Sequence, residues 1–359
     1  MKKMFLFAAM ASVAFASCTT DESVFDGAPK DGEIKFVAAN YVAQTRGEHD
    51  INVAFSNNDY AVWAWKVGTA EVHMNMQNVQ VNKSNEIQGD GTYWWPENYG
   101  LDFASVSPYN NPSIGLKRTS GNTTITFTFD GDTKQTDNTT NLMYANKEYY
   151  QYDYSAAGDQ PVALKFRHAL AKLNAVVHQA DPATTVAGVA GYEVIVKSLK
   201  MTGIKSEGSL VVNLDEVNIG TTDKVWTDAA SPTTTDEWTI ISTDTSIKAS
   251  DYKYTTDFYV MPQNIGDATK LVVDYDVITT FEGGGTSTIN KTKTVNVKDI
   301  IATGGSTPLA NWYTNKIVTY TINISPNEAF KPIKFTAMEE EWGTQSGSTT
   351  ISQGTTIIP

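Results

Sequence analysis

Apolar and polar residues alternate with a period of two along much of this chain. Residues 33–40 (EIKFVAAN) put Ile34 and Phe36 on one face, and Ile125, Phe127 and Phe129 alternate with Thr124, Thr126 and Thr128. Leu271, Val273, Tyr275 and Val277 alternate with polar partners within 271–279, and Val318, Tyr320, Ile322 and Ile324 repeat the pattern. Successive side chains of a strand point to opposite faces, so each run predicts a half-buried β-strand. Further strand-like runs occupy 51–55, 60–67, 72–81 and 192–199. Residues 295–297 lie across a Gly-rich turn (282–285) from 271–279, which predicts a hairpin. Clusters of Gly, Asn, Asp and Pro separate the runs.

One segment reads both ways. Phe166, Leu170, Leu173 and Val177 fall at helical spacing in FRHALAKLNAVV, yet the stretch after Lys172 also suits a strand. Long amphipathic helices are otherwise missing. Short strands with turn chemistry between them predict sandwiches or barrels. A chain of 359 residues exceeds one ordinary domain. Residues 152–160 (YDYSAAGDQ) are the least structured stretch near the middle. A boundary there gives an all-β protein of two antiparallel β-sandwich domains in tandem, 47–160 and 161–359.

Composition agrees. There are 46 threonines against 27 lysines plus arginines, and 41% of residues are hydrophobic, which favours strands and suffices for a core. The net charge of −13 repels phosphate backbones and argues against a nucleic-acid partner. The single cysteine, Cys18, rules out an intramolecular disulfide.

Lys2 and Lys3 precede a mostly apolar run, residues 4–15, too short to span a bilayer and right for a signal peptide. It ends in Phe15-Ala16-Ser17-Cys18, small residues directly before a cysteine, which resembles a bacterial lipobox. Residues 1–17 are then a lipoprotein signal peptide and Cys18 the acylated first mature residue, with several acyl chains giving a stable anchor. Asp21 and Glu22 resemble a surface-export signal, and residues 19–32 read as a polar tether.

A search for chemistry finds no enzyme. His49, His73, His168 and His178 show no metal-ligand spacing, and His168 reads as a core or capping histidine. Asp130, Asp132 and Asp137 resemble a calcium loop but lack its fifth-position ligand and closing Glu, so a solvated turn is the better reading. Glu339, Glu340 and Glu341 are adjacent, and strand neighbours point to opposite faces, so they read as a charged edge strand rather than a carboxylate pair. No nucleophile elbow, phosphate loop or dinucleotide fingerprint is present, and nothing calls for a cofactor or metal. Trp63 and Trp65 share a face and Trp94-Trp95 follow Tyr93. Exposed Trp builds glycan platforms, but most Trp in a β protein packs the core.

The lipobox at Cys18, a first strand followed by Thr45-Arg46-Gly47, FRHALAKLNAVV, NKIVTYTINI (315–324) and IKFTAMEEEW ending at Trp342 resemble, in that order, the fimbrillin-like family of Bacteroidetes, the type V pilins. The resemblance implies two transthyretin-like β-sandwich domains and a non-enzymatic lipoprotein precursor that polymerises into surface fimbriae and supports adhesion. It further implies that the N-terminal strand, within a propeptide of residues 18–46, fills a groove in the subunit. An arginine-specific protease cuts between Arg46 and Gly47, and the C-terminal strand of another subunit enters instead, a β-strand addition. The tail, residues 343–359, is the donor candidate. A polar connector leads to a strand-prone segment carrying Ile351, Thr355, Ile357 and Ile358, with Ile351, Gln353, Thr355 and Ile357 on one face. The implied partners are other copies of the subunit, outer-membrane lipid through Cys18, the protease, and surface glycans or proteins of host or bacterial cells. The alternatives are a fimbrial anchor or tip subunit and a glycan-binding surface lipoprotein.

Overall fold

A computed structural model describes residues 32–40, 58–119, 122–129, 141–153, 160–179, 186–214, 227–228, 235–247, 252–254, 258–303, 306–326 and 333–341. Among these there are strands throughout, one 3-10 turn (Val297–Asp299) and no α-helix. In chain order the first strands are β1 (Phe36–Asn40), β2 (Tyr60–Lys66), β3 (Val79–Val81), β4 (Leu101–Ser107), β5 (Ile114–Thr119), β6 (Asn122–Phe129) and β7 (Met143–Tyr150). Then come β8 (Val162–His168), β9 (Ala171–Gln179), β10 (Val189–Lys205), β11 (Gly208–Asn213), β12 (Thr227–Asp228), β13 (Thr235–Ile241) and β14 (Thr245–Ile247). The last are β15 (Tyr252–Tyr254), β16 (Phe258–Val260), β17 (Lys270–Phe281), β18 (Thr286–Asn296), β19 (Lys316–Ile324) and β20 (Lys334–Glu341).

Among the described residues, four sheets form two face-to-face pairs. The first pair is a six-stranded sheet, β1-β8-β7-β4-β2-β3, over a four-stranded one, β12-β11-β6-β5. Between them lies a core of Trp65, Val106, Ile125, Phe127, Tyr144, Leu210 and Val212. The opposite face of the six-stranded sheet is buried too, in a cluster that includes Ile34, Phe36, Tyr60, Trp95, Phe103 and Phe166. In the second pair, β13-β10-β17-β18 with β14 faces β15-β9-β19-β20 with β16, over a core built on Leu173, Val196, Val273, Trp312, Tyr320 and Phe335.

The period-two runs became strands with the anticipated inward faces. Ile125, Phe127 and Phe129 of β6 are buried, as are Leu271, Val273, Tyr275 and Val277 of β17 and Val318, Tyr320, Ile322 and Ile324 of β19. The hairpin is present: β17 and β18 pair from Lys270↔Asn296 to Thr280↔Thr286, and its turn uses Gly284 and Gly285 at positive φ, where a side chain is disfavoured. FRHALAKLNAVV is strand on both sides of a two-residue break, β8 and β9, and not helix. Of the run at 72–81 only β3 is strand.

Two features depart from a simple antiparallel tandem. β1 pairs with β8 in parallel, and β9 pairs with β19 in parallel. The expected linker at 152–160 separates β7 and β8, which belong to one sheet. The chain also returns to the first pair of sheets after β10, where β11 pairs with β6 from Gly208↔Phe129 to Asn213↔Thr124. Alternation within a strand carries no information about which sheet that strand will join. The sequence around 160 therefore looked like a border.

Candidate functional site

The N-terminal strand is seated at the rim of the six-stranded sheet. The chain enters as an extended segment, with Ile34 N–H donating to Tyr93 O at 2.8 Å and Trp95 N–H donating to Gly32 O at 2.9 Å. Gly32 is needed for this approach, since a Cβ there would lie 2.9 Å from the Tyr152 ring and 3.1 Å from Trp95. Trp95 stacks on Tyr152 at 5.4 Å between ring centroids and meets Phe103 edge-on at 5.8 Å. β1 then runs beside β8 in register Phe36↔Val162, Ala38↔Leu164, Asn40↔Phe166.

Alternation decides what β1 buries. Phe36 and, just before the strand, Ile34 point into the core, and Phe36 meets Phe103 edge-to-face at 5.8 Å. Val37, on the other face, is 37% exposed. Burying an Ile and a Phe contributes about 1.5–3 kcal/mol each, so the strand is held firmly although it sits at a sheet edge. On its outer side Ala38 N–H donates to Asn85 Oδ1 at 3.0 Å. Taking β1 away would open a trench with an unpaired edge of β8 along one wall and apolar seats for Ile34 and Phe36 in its floor. Unpaired backbone edges and apolar pockets bind extended peptides.

The sequence-predicted site residues Cys18, Arg46, Gly47, Ile351, Thr355, Ile357 and Ile358 lie outside the described residues, as do Asp130, Asp132, Asp137 and the run at 51–55. Asn85 and Phe103 were not singled out by sequence, and Trp95 was weighed there only as part of a Trp94-Trp95 pair. Asn85 stands in a polar turn (NKSNE) that looks like any solvated loop.

The remaining candidates resolve into structure. His168 is buried, with Nδ1 donating to Asn141 Oδ1 at 2.8 Å. Desolvation, and then the Lys172 ammonium, hold its pKa well below the ordinary histidine value. His73 Nε2 donates to Trp94 O at 2.7 Å, and burial lowers its pKa against the opposing effect of that bond. His178 Nδ1 meets Asn323 Oδ1 at 3.1 Å. Among the described residues no cluster of His, Cys, Asp or Glu could hold a metal ion, and no helix is long and apolar enough to cross a membrane. Glu339 to Glu341 lie on β20, an edge strand, as the charge pattern implied. Trp65, Trp95, Trp238 and Trp312 are buried, and Trp94 is exposed at 42%. Trp63 packs partly buried against the core it shares with Trp65, so the Trp63/Trp65 face is packing rather than a platform.

The described residues thus form an all-β fold of packed sheet pairs with an edge strand, β1, seated over apolar side chains. The chain belongs to the fimbrillin-like family, whose model matches residues 45–342. That match leaves out β1 and the tail after Trp342. It is similar to a solved fimbrial protein from Bacteroides vulgatus at 18% identity and a TM-score of 0.53, covering 86% of this chain and 99% of that one, a likeness that shows the shared fold. A fimbrilin from Porphyromonas gingivalis aligns at 11% identity and a TM-score of 0.41, covering 87% and 97%. The tip fimbrial protein Mfa3 of Porphyromonas gingivalis aligns at 11% identity and a TM-score of 0.40, covering 87% and 100%. No curated protein matches the chain. The family makes this a structural, fimbrial subunit of the cell surface that associates with other fimbrial subunits in adhesion.

Proposed function

We propose that the chain is a precursor subunit that plugs its own acceptor groove with β1 until a neighbouring subunit replaces it. The observation that carries this reading is the placement of β1: it is the end strand of its sheet, its Phe36 and the Ile34 just before it are core residues, and Arg46 follows six residues after it ends at Asn40. An edge strand can leave without breaking the sheet behind it. A cut between Arg46 and Gly47 by an arginine-specific protease frees β1, together with the lipid on Cys18 that held the precursor at the outer membrane. The tail of a second copy, through Ile351, Thr355, Ile357 and Ile358, then fills the groove, and repetition builds a homopolymer. The second pair of sheets bears on the same division of labour. The outer edge of β20 is met at Ala337 by Ile301 and Thr303, with Thr303 N–H donating to Ala337 O at 2.7 Å. At that position the edge of β20, the strand nearest the tail in sequence, is met by the chain itself. Glycans or proteins on host or bacterial surfaces are the adhesion targets.

Protein isolated from native cells is expected to begin at Gly47 and to run as protease-dependent ladders on gels, while Cys18→Ala abolishes palmitate labelling. A mature start at Cys18 with lipid retained makes the chain an anchor subunit instead. Monomers that persist after complete cleavage at Arg46 overturn the polymer reading.

A further inference from the structure

The seat of β1 is closed on its two sides by different chemistry. On one side β8 supplies a backbone ladder, in which Val162 N–H donates to Lys35 O at 2.8 Å. Along a strand, backbone groups face alternate edges. Lys35, Val37 and Ala39 therefore face β8, whereas Ile34, Phe36 and Ala38 turn their amides outward. The Ile34 amide finds the Tyr93 carbonyl. The Ala38 amide finds a side chain, Asn85 Oδ1, at 3.0 Å.

That oxygen is held from several directions. It also accepts the Tyr60 hydroxyl at 3.0 Å. Tyr60 is buried against Phe166 of β8, with ring centroids 5.3 Å apart and edge to face. Burial pushes the Tyr60 pKa upward, so the hydroxyl keeps its proton and donates. Asn85 has φ +67°, a left-handed conformation that Asn tolerates better than most residues. Its turn is tied down: Asn85 N–H donates to Asn82 O at 2.8 Å, and Asn82 Oδ1 accepts from the Ser84 and Glu86 amides at 2.9 and 3.0 Å. A carboxamide fixed in this way cannot follow a strand that slips. A one-residue slip would move Val37 into the core, lift Phe36 out and turn the Ala38 amide away from Asn85.

We propose that Asn85 is the positioning residue of this seat, fixing the register of its occupant by accepting one outward backbone N–H. The seat then takes an extended peptide running as β1 does. Such a peptide carries bulky apolar side chains at two alternate positions and a residue other than proline two positions further on. The inference rests on the reading of β1 as the exchanged strand and adds which peptide chemistry its seat selects.

Amide exchange in the uncut full chain tests it. Asn85→Gly keeps the left-handed turn and deletes the carboxamide. Ala38 should exchange about tenfold faster, the factor expected for losing one hydrogen bond, and Asn85→Asp, which retains an acceptor, should restore most of the protection. Tyr60→Phe should leave Ala38 protected, because the Asn85 oxygen stays in place. Ala38→Pro removes the same N–H at an outward position where proline is tolerated. It should speed exchange at Val37 and Ala39 as much as Asn85→Gly does, and the double variant should add nothing further. Unchanged Ala38 exchange in Asn85→Gly, or fully additive effects in the double variant, overturns the proposal. None of these measurements needs cleavage or assembly. If they come out as expected and Arg46-cleaved subunits still fail to polymerise, the positioning role stands and the polymer reading falls.

Discussion

Arg118 places its guanidinium Nη2 2.6 Å from Asp102 Oδ2, with both side chains almost fully buried. The pair joins the two sheets of the first half, since Arg118 lies on β5 and Asp102 on β4. The rest of the guanidinium is used as well. Nε donates to Thr69 O at 2.8 Å, Nη1 to Thr123 Oγ1 at 2.7 Å, and the group lies 4.9 Å over the Trp65 ring. Breaking a buried pair by removing one partner strands the other charge, at a cost of about 3–5 kcal/mol. Asp102 keeps the Gly68 N–H donor at 3.1 Å, which moderates the loss. Arg118→Ala is expected to lower the urea midpoint by a corresponding amount. An unchanged midpoint would show that the network adds nothing to stability.

The same burial gates proteolysis. A protease needs several residues of extended, accessible backbone around the cut. Arg118 and Arg167 are inside strands and their side chains are buried. Brief trypsin treatment of the folded precursor should cut at Arg46 well before either, read by mass spectrometry of early fragments. Cleavage at Arg118 at a similar rate would contradict this.

Much of this was legible in the sequence, and the reason differs by element. β6, β17 and β19 bury one face, so their apolar positions repeat every second residue and announce themselves. β4 (LDFASVS) is buried along its whole length, because cores lie on both faces of its sheet, and its apolar residues follow no period. β1 was visible through Ile34 and Phe36, but its parallel partner was not, because β8 lies more than a hundred residues away and pairing leaves no local mark. Asn85 was invisible for a different reason. Its role depends on one side-chain oxygen meeting Ala38 and Tyr60, and the turn that carries it reads as solvent-facing polar sequence.

Gly203 was equally silent and makes a strong demand. It lies in β10 at φ +72°, and a Cβ there would fall 2.2 Å from the Ala268 carbonyl oxygen. The contact is backbone to backbone, so no side-chain rotation relieves it. Gly203→Ala should cost about 2–4 kcal/mol, combining a left-handed alanine with forced separation of the two segments. Equilibrium unfolding would show this as a lower midpoint with little change in slope, whereas a neutral result would mean the segment at 268 shifts freely.

Burial of His168 predicts an acid-sensitive margin. Its folded pKa is depressed by desolvation and by Lys172, while in the unfolded chain it titrates near 6.5. Between those two values the unfolded state binds the proton and the folded state does not, so stability falls as pH drops below about 6.5, by up to about 1.4 kcal/mol per pH unit for one full proton. The contribution is fully retained above that value. His73 shifts in the same direction, so the two must be separated. The stability difference between wild type and His168→Gln should therefore shrink on going from pH 7.5 to 5. A pH-independent difference would show that His168 titrates normally in the folded protein.

The tail offers the last test, because two outcomes of one truncation point in opposite directions. Removing residues 343–359 leaves every strand from β1 to β20 in place. If the tail serves a neighbour, the uncut truncated precursor should melt within about 2 °C of the full chain, since 1 kcal/mol corresponds to roughly 2–4 °C at this size. After cleavage at Arg46 it should stay monomeric, yet its empty groove should still accept a synthetic peptide of residues 349–359. If the tail instead completes its own fold, truncation removes a strand from a total margin of only about 5–15 kcal/mol, and the melting temperature should fall steeply before any cut is made. The capped outer edge of β20, where Thr303 bonds to Ala337, favours the first outcome: that edge holds no open ladder at Ala337 for the tail to join. Calorimetry of the uncut truncated chain, followed by gel analysis after cleavage, separates the two.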